Sequence, residues 1–132
     1  MREIKFRGKT DRTRNDSKWV VGFYRERDDE SYIINDWGQE ILVDWETVGQ
    51  FTGMEDINGI QIYEGDVVDL KNWDGKEVRG VVVHDDRYAM FGIARANDIY
   101  NILHKKPKVI GNVFDDKELY SSLWETYDLY QK

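Results

Sequence analysis

At 132 residues the chain has the size of one domain and is long enough to bury a core without staples. It has no cysteine, which excludes disulfides and thiolate metal sites and fits a reducing, cytoplasmic setting. The net charge of −7 argues against a dedicated nucleic-acid binder, and no apolar run approaches the ~20 residues of a membrane span.

The first strand is expected at Ile4–Arg7, where apolar and basic residues alternate. A polar loop follows over Gly8–Ser17, then a β-branched and aromatic strand over Trp19–Tyr24. Asp28-Asp29-Glu30 forms an acidic turn, Ser31–Asn35 a third strand, Trp37-Gly38 a turn, and Ile41–Val43 opens a fourth strand. Repeated short strands with turn signals between them predict a β-meander over residues 1–46.

Thr47–Val68 concentrates glycines between β-type runs. Turns are expected at Gly53, at Asn58-Gly59 and at Glu64-Gly65-Asp66, because glycine and asparagine tolerate positive φ. Asp74-Gly75 marks a further hairpin, with Val78–His84 as its return strand and Arg87–Ala94 beyond it. Asn97–Leu103 reads as a short capped helix, and Val109–Phe114 as a final strand turned at Gly111. From Asp115 the period changes. A helix capped by Asp115 or Asp116 would place Leu119, Leu123, Tyr127 and Tyr130 on one face, widened by Tyr120 and Trp124.

Several of these segments resemble the YopX family of phage and prophage proteins. The opening MREIKFRGK, the strand WVVGFY, the central VGQFTGMEDINGIQIYEGDVV and the closing VIGNVFDDKEL carry the resemblance over residues 1 to 119. It implies a small, mostly β protein of unestablished role and supplies no catalytic residues. Separately, the Gly-Asp lead into a strand, the hairpin and the late short strand over 47–114 are similar to SH3-like barrels. The expected fold is therefore mainly β: one domain over 1–132, with an N-terminal β-meander, an SH3-like partly open barrel and a short C-terminal helix over 115–132.

The chemistry-bearing residues are sparse. His84 and His104 lack a ligand spacing, and the Asp pairs sit where turns and caps explain them, so neither a metal nor a cofactor is expected. No serine lies in a nucleophile elbow, and no glycine set forms a phosphate loop, so the chain is read as a non-enzyme. Residues 1–27 hold nine Lys/Arg against four Asp/Glu, whereas the remainder holds ten against 22. That basic start suits either docking on an acidic surface or nucleic-acid contact by Arg7, Arg12 and Arg14, with Trp19 and Phe23 as stacking platforms. The five Trp, eight Tyr and five Phe exceed what a small core needs, which favours an interface. Leu119, Tyr120, Leu123, Trp124 and Tyr127 are its candidate residues, against the plainer reading that the domain's own groove covers them. The expected role is a phage accessory module that binds a host or phage protein or self-assembles, with nucleic acid as the alternative partner and no membrane.

Overall fold

The computed structural model describes residues 3–11, 16–96, 98–101 and 106–131. The chain is mainly β and forms two compact units, Met1–Gly53 and Met54–Lys132. The boundary thus follows Gly53, seven residues later than the end of the expected meander.

The first unit contains β1 (Phe6–Lys9), β2 (Trp19–Arg27), β3 (Glu30–Ile34) and β4 (Glu40–Glu55), the last running two residues past the boundary. The segments expected as separate strands at Ile41–Val43 and Val48–Gly53 are one strand. β2 pairs with β1 through Trp19–Gly22 and with β3 through Phe23–Arg27. β4 pairs with β3 through Glu40–Val43 and with β1 between Asp44 and Gln50. β1 therefore bonds on both sides, and the sheet closes partly on itself. Gly22 marks where β2 changes partner: a Cβ there would lie 1.9 Å from the Ile34 carbonyl oxygen, so no side chain fits.

The closure is irregular. Lys9 pairs with Asp44 while Arg7 pairs with Gly49, so β4 has excess residues at this point. Thr47 is fully buried and bridges the gap: its hydroxyl accepts the Lys9 N–H at 2.8 Å and donates to the Asp44 carbonyl at 2.6 Å. The inward side of the unit holds Ser31, Ile33, Val43 and Phe51.

The second unit contains β5 (Gln61–Tyr63), β6 (Asp66–Lys71), β7 (Glu77–Asp85), β8 (Met90–Arg95), β9 (Asp98–Asn101), β10 (Lys108–Asn112) and α1 (Ser121–Tyr130). Its five-stranded antiparallel sheet has the order β10-β6-β7-β8-β9. The last strand returns beside the first, which is the order an SH3-like sheet requires. One face packs Ile62, Val68, Leu70, Val82 and Ile93 against Met54, Val78, Phe91 and Val109. Val67, Val81 and Val83 alternate to the other face, where α1 lies across β7 and β8.

Two expectations fail in this unit. Asp98–Asn101 is a strand paired with β8, not part of a helix; its hairpin partner overrides the helical pattern. Asn97, Ile102 and Leu103 lie outside the described residues. The helix begins at Ser121, with Tyr120 at the cap position and no side-chain cap, instead of at Asp115 or Asp116. Asn112 intervenes: its Oδ1 accepts the N–H groups of Phe114 (3.0 Å) and Asp115 (2.8 Å), holding that segment in a turn.

Among the described residues one five-residue turn occurs three times, at Asn35–Gln39, Asp56–Ile60 and Asn72–Lys76. In each, the carbonyl of the first residue accepts the glycine N–H of the fourth, and the first and fifth residues bond through the backbone. The side-chain Oδ1 of the first residue accepts the N–H of the third and fifth, at 2.8–3.0 Å. The glycines Gly38, Gly59 and Gly75 sit at φ between +78° and +80°. This is the three-residue hairpin loop with its glycine in the left-handed region, tightened by an Asx acceptor.

Candidate functional site

The outer face of the first unit's sheet gathers aromatic and cationic side chains. Odd-numbered residues of β2 point outward, and their partners across the ladder follow. Trp19, Val21, Phe23, Arg25 and Arg27 thus share this face with Arg7 and Lys9 of β1, Tyr32 and Ile34 of β3, and Leu42 of β4. Phe23 is 67% exposed and Leu42 52%, on a face where a monomer has no need of them.

Each cation here is placed by an aromatic or an acid. The Arg7 guanidinium lies 4.5 Å from the Trp19 ring centre, and the Lys9 ammonium 5.8 Å. The Arg27 guanidinium lies 4.9 Å over Tyr32 and pairs with Glu40, which also takes Arg25 at 3.3 Å. Hydrogen bonding to Glu40 raises the Arg27 pKa, so it stays charged. The Tyr32 hydroxyl donates to Glu30 at 3.0 Å, and that bond raises its pKa. The result is a fixed patch of Arg, Trp, Phe and Tyr, the residue types that carry binding energy in interfaces.

Of the residues expected to contact nucleic acid, Arg7 and Trp19 therefore meet, stacked on one another. Arg12 and Arg14 lie outside the described residues. Phe23, the second expected stacking platform, lies on the same face, whereas Arg25, Tyr32 and Leu42 were not singled out as a site. Their alternation was readable in β2, but the pairing that puts Leu42 beside Tyr32 is set by the fold.

The expected C-terminal interface divides. Tyr120, Leu123 and Tyr127 are buried within the second unit, Tyr127 stacking edge-on against Phe114 at 5.3 Å. Trp124 is half-buried, held by Phe114 at 5.9 Å and by the Lys117 ammonium at 4.4 Å. The unit's own groove thus covers most of that set, and Leu119, 72% exposed, lies before the helix.

The expected turn residues hold the backbone by several means. Gly59 and Gly65 have positive φ in turns, and Asn58 donates its N–H to Asp56. Gly53 has φ +86° but lies inside β4. Gly111 lies inside β10 where the register shifts, and a Cβ there would meet the Tyr120 ring at 3.2 Å, so it permits close approach and makes no turn. Asp66 is buried at the start of β6 and accepts the Tyr63 N–H at 2.8 Å.

The carboxylates are also committed to structure. Asp28 and Asp29 are the two central residues of the β2–β3 hairpin, both at positive φ. Buried Asp85 accepts the Arg87 backbone N–H and two guanidinium bonds, and Arg87 holds its pKa below the ordinary value despite burial. Asp86 meets His84 Nδ1 at 2.7 Å, and His104 lies outside the described residues. Burial would raise the pKa of Asp56. The N–H groups of Val109, Ile60 and Asn58, with the charge of Lys108, outweigh that and lower it. Among the described residues, no group of three or more His, Asp or Glu is placed to hold a metal ion. No helix among them is long and apolar enough to cross a membrane.

No curated protein matches the chain. The sequence model of one family, the YopX proteins, matches residues 3–121, which covers the strands of both units and ends where α1 begins. With that span covered, the chain belongs to the YopX protein family.

Proposed function

We propose that the protein is a phage or prophage accessory module that acts by binding a protein partner in the host cytoplasm, without chemistry of its own. The contact surface is the outer face of the first unit. The observation that carries this reading is the exposure of Leu42, in one cross-strand row with Tyr32 and Arg25, and of Phe23, next to Arg25 on the same face of β2. A central apolar and aromatic cluster with arginines around it is what a protein interface uses to exclude water. Glu40 and Glu30 sit among the cations, so the patch suits a mixed protein surface better than a uniform polyanion.

The test is affinity recovery from host lysate with the wild type and with Phe23→Ser combined with Arg25→Glu, each run with and without nuclease. A discrete protein held by the wild type in both conditions, and lost by the variant, supports the reading. Retention by the variant would remove this face from consideration. Recovery that depends on intact nucleic acid and weakens steeply with salt would shift the reading to Arg7 and Lys9 around Trp19.

A further inference from the structure

β4 passes from pairing with β3, through Val43, to pairing with β1, from Asp44, and a cleft of about 610 Å³ opens at that crossing. Asp11, Asp29, Glu30 and Asp44 line it, and every charge in its lining is negative. Glu30 begins β3, Asp29 lies in the β2–β3 hairpin, and Asp11 follows the end of β1. The apolar part of the lining is open to solvent: Leu42 is 52% exposed and Trp45 70%.

Trp45 owes its place to the irregular closure of the sheet. It falls among the excess residues of β4, and a bulge re-aims the side chains it carries. Buried Thr47 anchors the bulge through Lys9 and Asp44, so the indole is held without being packed. Among the described residues no cation lies over Trp45, whereas Trp19 and Trp124 are each covered by one. An open indole face beside carboxylates attracts a cation twice, through the ring quadrupole and through charge. Among the described residues no three acidic groups are placed to hold a metal ion. The cleft has the size of an organic group, and it suits a cation whose charge is spread over several atoms.

We infer that this cleft receives an arginine side chain of the protein partner. The inference rests on the outer-face reading, because Leu42 belongs to both surfaces: a partner that covers Leu42 beside Tyr32 reaches the mouth of the cleft. The arginine stem lies along Leu42, its guanidinium plane stacks on Trp45, and its N–H groups meet the carboxylates. The contact also selects among partners. A surface with an acidic group at this position would set like charges face to face, and an apolar one would leave carboxylates desolvated and unpaired. The partner surface is thus one whose apolar centre is flanked by arginine.

An NMR titration of the full chain tests it, with N-acetylarginine amide and its neutral isostere N-acetylcitrulline amide as probes. The Trp45 indole N–H signal, assigned by its loss in Trp45→Phe, is expected to shift saturably with the arginine probe. A Kd on the order of 1 mM is expected of a single side chain, weakening as salt is raised. The citrulline probe should leave the signal in place. Asp29→Asn combined with Glu30→Gln, both exposed positions, should weaken arginine binding about tenfold with the melting temperature unchanged. Asp116→Asn combined with Glu118→Gln, exposed acids of the second unit, should leave it intact. An unmoved indole signal, equal shifts with both probes, or full affinity after Asp29→Asn with Glu30→Gln overturns the inference. No partner is needed for this measurement. The outer-face reading therefore survives its failure, and falls only if Phe23→Ser with Arg25→Glu retains the partner from lysate.

Discussion

In the second unit three successive residues of β7, Val81, Val82 and Val83, are all inaccessible to solvent. In the first unit, β2 from Phe23 to Arg27 is exposed at every position. Successive strand residues point to opposite sides, so the first observation requires both faces of the sheet to be covered, as they are by Ile62 of β5 with Met54 on one face and by α1 on the other. The second requires that β2 be held by its ladder and by side-chain pairs along it. Stability in the second unit is therefore a matter of packing. In the first it depends on hydrogen bonds, turns and cation–aromatic contacts, which leave a side of the sheet available for binding.

The sharpest break of this contrast is Ile93→Ala. Ile93 is fully buried, and the truncation is expected to cost about 3 kcal/mol in the second unit's denaturant unfolding. A loss below about 1 kcal/mol would mean that the unit is not packing-dominated. Next is Asp56→Ala, which strands three backbone N–H groups, two in the Asp56–Ile60 turn and one on β10, with an expected cost of about 2 kcal/mol. Its pH dependence has a definite sign. The folded pKa of Asp56 lies below its ordinary 3.8, so its contribution is full above that value and fades as pH falls through the folded pKa. Urea midpoints of wild type and Asp56→Asn should therefore converge on acidification; a gap that widens in acid would contradict the assignment.

Smaller effects belong to the first unit. Asp28 and Asp29 sit at φ +53° and +65°, a turn that glycine adopts without steric cost. Asp29→Gly is expected to change stability by about 0.5 kcal/mol or less, relief of the left-handed strain offsetting the added chain entropy, and a thermal melt checks it. Smallest of all is Leu42→Ser, expected within about 0.5 kcal/mol of wild type although it removes a large apolar side chain. A large loss there would show that Leu42 supports the fold and would weaken its assignment to a contact surface.

Much of the β framework was legible from local chemistry. β-Branched and aromatic content gave β2, and the dipeptides Asn58-Gly59 and Asp74-Gly75 gave two hairpins, because the turn geometry is decided within five residues. What escaped was decided at a distance. β9 carries a helix-like pattern, yet the ladder with β8 holds it extended. The helix start was misplaced because residues 113–120 form successive turns, the first held by Asn112 through the N–H groups of Phe114 and Asp115. The C-terminal apolar set was read correctly as apolar, but only the packed structure separates buried Tyr127 from exposed Leu129. Likewise, Arg7 and Trp19 were chosen separately from composition, and their stacking follows from the β1–β2 register.

The double pairing of β1 has a consequence for how the chain tolerates trimming. Between Phe6 and Lys9 this four-residue strand satisfies backbone groups of both β2 and β4. A cut that removes it would uncover two strand edges at once, each a template on which another chain can add. Nicking before Phe6 should leave a soluble protein, whereas loss of four more residues should yield one that aggregates. A proteolytic ladder from the N-terminus would locate that threshold to within a residue or two.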